Sequence, residues 1–255
     1  MNFITKFKLN SNFKNPPQKL YYKGNLELLN SPKVAIVGSR KCSVYTKNMT
    51  LNLASTLKKY GVCVVSGAAI GVDIYAHMGA YPNTIAVFGN GLDQIYPLQN
   101  SKIIKDIYQN SLALSAYEPD TLAKGWQFLE RNLITVALSD AVVVAQADIK
   151  SGSMSSARAA IKFGIPLYVL PQRLGESSGT NELLASQKAK IITDFDKFAM
   201  EFGVKNYEEK SDEIIEFIKK NSNFDECYSK FGDKIYEYEL DGKIAIDGIY
   251  VRILW

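Results

Sequence analysis

The sequence predicts an α/β fold: an extended Rossmann-like parallel sheet with helices on both faces, followed by a small C-terminal winged-helix-like domain. Three observations carry this. Short, continuous β-branched runs recur through residues 34–170, they alternate with segments of helical period, and most end in a glycine- or serine-rich loop. Strands that are apolar on both faces need helices on both sides to cover them, which is the signature of a parallel sheet.

The first unit, residues 1–33, is polar and lysine-rich with Pro16-Pro17, and reads as an extended N-terminal arm with little core of its own. Val34-Ala35-Ile36-Val37 is a buried strand, closed by Gly38-Ser39-Arg40 and followed by a helix over 45–60. Val62-Cys63-Val64-Val65 is the next, closed by the loop 66–71, with a helix starting near Asp73. Strands follow at 84–88, closed by Gly89-Asn90-Gly91, at 112–114, and at 141–145. The last of these leads through Lys150-Ser151-Gly152-Ser153 into a helix over 156–163, and a strand at 167–170 ends before Pro171. Twelve of the 17 glycines fall between Gly38 and Gly179, many in these loops. In such sheets ligands bind beyond the carboxyl ends of the strands, so residues 34–200 are expected to carry the working face.

Residues 205–255 follow another pattern. Helices are expected at 211–220, 224–231 and 233–240, then strands at 243–246 and 249–252 around the hairpin signal Asp247-Gly248. A DNA-reading winged helix sets its third helix in the major groove. Here that helix reads Asp233-Lys234-Ile235-Tyr236-Glu237-Tyr238-Glu239 and would meet phosphate with carboxylates. The domain therefore reads as a protein-contact or structural unit.

Composition narrows the function classes. With 255 residues, 47% hydrophobic and 22% charged, the chain has the profile of a soluble globular protein with a sizeable core. Its apolar runs, such as 141–145, fall far short of the roughly 20 residues of a membrane span. Met1-Asn2-Phe3-Ile4-Thr5-Lys6 lacks the layout of a secretion signal. Cys42, Cys63 and Cys227 lack metal-like spacing and fit reduced thiols, so a cytoplasmic protein without membrane or metal is expected. One histidine, His77, excludes a multi-histidine metal site and leaves a Ser-His-Asp arrangement a single candidate. The net charge of +4 hides a split: 22 basic against 13 acidic residues in 1–200, and 8 against 13 from Glu201 onward. A basic body suits a polyanion, and an acidic tail domain does not.

Four constellations carry candidate chemistry. Gly38-Ser39-Arg40, at a strand-to-helix junction, offers a close backbone approach and a fixed cationic fork, which suits phosphate. It is also an ordinary tight turn with a solvated arginine, and it matches no dinucleotide or P-loop fingerprint, so no cofactor follows. Ser66-Gly67 through Asp73 is a low loop whose amides face the same crevice, with Asp73 placed to cap the next helix and His77 one turn on. A packed structural role suits His77 better than a pairing with Asp73. Ser151-Gly152-Ser153 at a helix start forms a nest for an oxyanion, or a common cap. Lys124 through Asn132 interleaves Lys124 and Arg131 with Trp126 and Phe128, as single-stranded nucleic acid requires, although Phe128 fits a core position equally well.

Read in order, Gly38-Ser39-Arg40 with Tyr45, Ser66-Gly67 through Gly71-Val72-Asp73 and Ala76-His77, Gly91-Leu92-Asp93 with Tyr96-Pro97, Phe128 with Arg131-Asn132, Ser151-Gly152-Ser153, and Gly179-Thr180-Asn181-Glu182-Leu183 resemble the bacterial DNA-processing protein A (DprA/Smf) family. The likeness spans about 16–195, and the tail resembles a winged-helix-like domain that many members carry. It implies a homodimer that binds single-stranded DNA, protects incoming strands and loads the RecA recombinase during natural transformation, with no catalysis. It also implies Arg40 as the main phosphate contact, Lys124 as a second cation, and Ser39, Ser66, Ser151 and Ser153 as loop hydroxyls on the DNA. Gly38, Gly67, Phe128, Arg131, Asn132 and Gly152 complete the expected interface. Leu133 stands where members often carry a third residue of an Arg-Asn-Arg run, and the short arm leaves no room for the helical module that often precedes the sheet. The alternative is a nucleotide-processing hydrolase resembling the phosphoribohydrolases. Their working glutamate has no counterpart in the run from Ser151 to Arg158.

Overall fold

The computed structural model describes residues 2–205, 212–240 and 242–253. The chain divides into two compact units, Met1–Asn206 and Tyr207–Trp255. In the first, strands β1 (Asn2–Ile4), β2 (Leu20–Gly24), β3 (Lys33–Val37), β4 (Cys63–Ser66), β5 (Thr84–Phe88), β6 (Leu112–Ser115), β7 (Ala141–Val144), β8 (Leu167–Val169) and β9 (Lys190–Ile191) form one sheet in the order β1-β2-β6-β5-β4-β3-β7-β8-β9. Pairing is parallel from β6 to β9 and antiparallel at β1, β2 and β6.

Alternate side chains of the central strand feed two cores. Val34 and Ile36 pack with Leu53 and Leu57 of α1 (Val44–Lys59) and with Val72 and Ala76 of α2 (Val72–Ala80). Ala35 and Val37 pack on the other face with α5 (Gly152–Phe163) and Val136 and Ala137 of α4 (Gly125–Ala137). The period of two that sends neighbours to opposite faces makes these runs apolar throughout. From β3 the sheet runs to β4 on one side and to β7 on the other, so the loops after β3 and β7 flank the point where strand order reverses.

Residues 1–33 differ from the expected arm. Leu20 is fully buried, Tyr21 is 5% exposed, and β2 pairs with β6 inside the sheet. Asn10 N–H donates to Ala137 O at 2.8 Å and Asn12 Nδ2 to Phe163 O at 2.9 Å, tying the segment to the ends of α4 and α5. The core-forming residues here, Leu9, Phe13 and Leu20, are spaced too widely to give a period, so local pattern does not reveal them. α3 (Ser101–Asn110), α6 (Ser178–Ala185) and α7 (Phe195–Met200) are further elements beyond those expected.

The second unit has its own core of Ile214, Ile218, Cys227, Ile235, Ile244 and Val251. It comprises α8 (Glu213–Lys220), α9 (Phe224–Phe231), α10 (Lys234–Leu240) and a hairpin of β10 (Ile244–Asp247) and β11 (Tyr250–Ile253). Ser211, the expected first residue of α8, lies outside the described residues. Asp247 pairs with Tyr250, so the two-residue loop is Gly248-Ile249, one residue later than the hairpin signal suggests. Ile244 and Val251 are buried and Ile249 is 60% exposed, so the buried face sets the register and Gly248 takes the left-handed position at φ 61°.

His77 fixes the loop after β4 from inside. Its Nε2 accepts from Ala68 N–H at 3.2 Å, and its Nδ1 lies 2.7 Å from Thr84 Oγ1, which in turn donates to Val64 O at 2.8 Å. This chain of bonds is satisfied by the neutral ring protonated at Nδ1, and it holds Ala68 at a left-handed φ of 55°. Burial lowers the His77 pKa from 6.5 to about 3. The unfolded chain therefore takes up a proton that the folded chain excludes. The contribution of neutral His77 to stability is complete above the unfolded value and is lost as pH falls toward 3. Urea melts should show this residue alone removing about 2 kcal/mol between about pH 6.5 and pH 5. In His77→Gln that part of the pH slope should vanish, and an identical slope in the variant would contradict the assignment.

Candidate nucleic-acid interface

The loops after β3, β4, β5 and β7 gather at one sheet edge around two adjoining cavities. The larger, about 550 Å³, is lined by Gly38, Ser39, Arg40, Phe128, Arg131, Asn132, Ser151, Gly152 and Ser153, with Asp73 and Ser156. The smaller, about 190 Å³, is lined by Gly67, Gly89, Asn90, Tyr96, Pro97 and Gln99 among others. Arg40, Ala69, Phe128 and Arg131 line both, so the two form one groove.

Each loop is held from within. Ser39 N–H donates to Gln146 O at 2.8 Å and Ser43 N–H to Gln146 Oε1 at 2.9 Å, joining the loops of β3 and β7 across the reversal point. Val72 N–H donates to Ser39 O at 3.1 Å, joining the loops of β3 and β4. Gly71, at φ 83°, lies against Ser39 O, where a side chain would collide. α1 begins at Val44 with Ser43 as its cap, so Arg40 stands on an open turn three residues ahead of the cap rather than at the helix start.

Arg40 is exposed, and its guanidinium carbon lies 5.8 Å from the Phe128 ring centroid. Arg131 lies 5.9 Å from the same ring but is 4% exposed. Its Nη1 donates to Val87 O at 3.0 Å and lies 3.9 Å from Asp73 Oδ2. The guanidinium rests directly on Gly67, where a β-carbon would overlap it. Phe128 is half-buried and stacks on Tyr96, with centroids 5.7 Å apart and planes at 28°.

Asp73 does not cap its own helix. The cap of α2 is Gly71, and the Asp73 carboxylate instead accepts from the N–H groups of Ala69 and Gly67. Burial pushes its carboxyl up from the ordinary value, against the pull of Arg131 and of those two N–H groups. Ala68 N–H is committed to His77, and the Gly67 and Ala69 amides on either side face Asp73. Ser66 is likewise used up: it is fully buried and its hydroxyl donates to Ile36 O at 2.6 Å. The expected contact from Ser66 is thus corrected to a structural role, because its side chain leaves the strand on a face covered by the fold and is bonded there.

The α5 start is different. Ser151 Oγ and Ser156 Oγ are buried without a hydrogen-bond partner among the described residues, as is Arg131 Nε. All three residues line the larger cavity. Unsatisfied buried donors are costly, and these three cluster beside one groove. Asn132 Nδ2 reaches Ser155 Oγ at 3.5 Å, linking α4 to α5. Lys124 is exposed at the cap of α4, with its N–H on Gln127 Oε1, and lines neither cavity. Tyr96, Ser156 and the Asp73 pairing were not expected as parts of the site. Tyr96-Pro97 on a carboxyl-end loop was the one available signal.

Among the described residues no three of His, Cys, Asp and Glu come together to hold a metal, and no helix is long and apolar enough to cross a membrane.

The family model for DNA recombination-mediator protein A matches residues 7–203. DNA processing protein DprA of Streptococcus pneumoniae is 38% identical over 191 residues, covering 73% of this chain and 67% of that protein. DNA processing protein DprA of Bacillus subtilis is 34% identical over 182 residues, covering 69% and 61%. Protein Smf of Borreliella burgdorferi is matched over 50% of its length, so the chain spans half to two thirds of these relatives. Among solved structures, DNA processing protein A of Helicobacter pylori, described for its single-stranded DNA binding mode, superposes with a TM-score of 0.74 at 48% identity. That match covers 78% of this chain and 94% of the other. DprA of Streptococcus pneumoniae superposes with a TM-score of 0.71 at 37% identity, covering 75% and 69%. The sheet, its loop order and these matches agree, and the chain belongs to the DNA recombination-mediator protein A family.

Proposed function

We propose that this chain binds single-stranded DNA, independently of sequence, in the groove over the carboxyl ends of β3, β4, β5 and β7. The single observation that carries this is the convergence in one groove of an exposed arginine, a stacked aromatic pair and three unsatisfied buried donors. Charge serves the backbone and rings serve unstacked bases, a combination that tolerates every sequence. The single-stranded DNA binding mode described for the Helicobacter pylori relative supports the same reading.

On this reading Arg40 is the main phosphate contact, Ser39, Ser151 and Ser153 supply hydroxyls, and Gly38 and Gly152 let the strand approach the backbone. Phe128 offers a ring, Asn132 lies beside it, and Lys124 guides the strand from outside the groove. Arg131 acts by shaping the groove. The role in the cell is protection of incoming single strands and loading of RecA onto them during natural transformation, by a cytoplasmic homodimer. The protein binds and does not catalyse: Asp73, the carboxylate that lines the groove among the described residues, is locked to Arg131 and two backbone amides. The second unit, with carboxylates along α10, contacts protein rather than DNA.

Fluorescence anisotropy on labelled oligonucleotides across a salt series tests this. Affinity should fall with salt by roughly 0.7 in log–log slope per phosphate neutralised. Arg40→Ala should weaken every sequence alike, by about tenfold or more, and an unchanged affinity would remove Arg40 from its role. Deleting the chain after Lys205 should leave the affinity of the folded first unit within about twofold, since every residue assigned to the groove lies in that unit. Loss of binding by that folded fragment would place DNA on the second unit.

A further inference from the structure

The second unit carries an aromatic cluster that its own fold leaves uncovered. Phe224 packs against the core, and Tyr228, one turn along α9, stacks on it with centroids 5.7 Å apart and planes at 25°. Tyr236 of α10 closes the group, 5.9 Å from Phe224 and 5.7 Å from Tyr228, at 55° and 61° to them. Tyr228 is 40% exposed and Tyr236 44%. Phe224 N–H donates to Ile249 O at 2.8 Å, and Asn223 bridges to Tyr250. These bonds bring the hairpin turn alongside with two more open side chains, Ile249 and Tyr250, 60% and 57% exposed. Large apolar side chains gathered on one exposed patch mark an interaction surface.

Charge decides which kind of partner fits. The residues from Tyr207 to Trp255 include 12 acidic and 7 basic side chains. Tyr228 Oη donates to Asp233 Oδ1 at 3.0 Å, which sets a carboxylate at the edge of the rings. Elsewhere in the unit the rings already hold cations. Lys230 Nζ lies 4.6 Å from the Phe217 centroid and 4.9 Å from that of Phe231, and Lys243 Nζ lies 4.3 Å from that of Tyr238. Among the described residues no lysine or arginine lies over Phe224, Tyr228 or Tyr236. A guanidinium is planar and weakly hydrated, stacks on a ring and bonds a carboxylate, whereas an ammonium is a compact, strongly hydrated charge. Open ring faces beside a carboxylate therefore suit arginine.

We propose that Tyr228, Tyr236 and Tyr250 form a docking surface for an arginine-bearing segment of a partner protein, with the guanidinium over the open rings and its charge set against Asp233. The inference rests on the reading of the second unit as a protein-contact unit and names the chemistry of that contact. Ile249 takes an apolar neighbour of the arginine. The excess of carboxylates in this unit repels phosphate, so this surface and the groove of the first unit take ligands of opposite charge.

The test uses the full chain and two labelled octapeptides, one alternating arginine with alanine and one alternating lysine with alanine, read by anisotropy at one low salt concentration. The arginine peptide should bind about threefold tighter or more, and Tyr236→Ala should lose about threefold of that affinity, the worth of one exposed cation–π contact. Tyr236→Phe should stay within about twofold of the wild type, since the ring remains. Asp233→Asn should weaken both peptides by a similar factor. Thermal melts should show each variant folded. Three results overturn the arginine surface and leave the protein-contact reading intact: no binding of the arginine peptide, equal affinity for the two peptides, or unchanged affinity in folded Tyr228→Ala and Tyr236→Ala. Loss of oligodeoxythymidine binding in those two variants places DNA on this patch and overturns both. A dimer in sedimentation velocity that Tyr236→Ala splits into monomers also overturns the proposal, since the surface then takes a second copy of this chain.

Discussion

Asp73 and Arg131 meet 3.9 Å apart in a place where neither charge stands alone at low cost, since both side chains are almost wholly withdrawn from water. What makes the pairing tolerable is the set of further contacts around it. The carboxylate takes the Gly67 and Ala69 amides, and the guanidinium takes the Val87 carbonyl, lies on Gly67 and faces the Phe128 ring. One ion pair thus joins the β4 loop, the end of β5 and α4. Removing one partner leaves a buried charge uncompensated, at about 3–5 kcal/mol, and releases the loops that shape the groove. The pairing also neutralises the one carboxylate that lines the groove among the described residues. Arg131 is then spent inside the fold, while the exposed Arg40 presents a whole guanidinium.

The sheet decides where these parts can meet. Strand order turns at β3, and the loops of β3 and β7 are drawn together there by the two bonds to Gln146. The β4 loop is pinned from beneath by His77, and the β5 loop by Asn90 and Asn100. The bracing takes the amides of Ser39, Ser43 and Ala68 and the carbonyls of Ala68, Gly91 and Gln94.

Much of this was legible in the residues. The six parallel strands with apolar runs were readable because burial on both faces removes polar positions, and each reading fell within a residue or two of the observed ends. Strand-end glycines and serines pointed to the sheet edge at which the two cavities lie. What stayed hidden depended on distance in space. Leu20 and Tyr21 enter the sheet through pairing with β6, which no local period encodes. Ser66 and Arg131 read as surface contacts because their types are polar, yet their partners, Ile36 O, Val87 O and Asp73, come from other strands and helices. Gln127 and Asn90 are buried polar residues of another kind, their side chains bonded locally to Lys124 N–H and to Gly91 O and Gln94 O. Tyr96 was visible as part of a motif, but only its stacking on Phe128 from another segment makes it part of a site.

The central claim is that the strand lies over the carboxyl ends of β3, β4, β5 and β7. Hydrogen–deuterium exchange of the full chain, with and without saturating oligodeoxythymidine, tests it most directly. Added protection should appear in the β3 loop, along the α4 start and over the first turn of α5. The described second unit and the amino ends of the strands should be unchanged. Protection confined to the second unit or to the amino-end face, with these loops exchanging as before, would contradict the account.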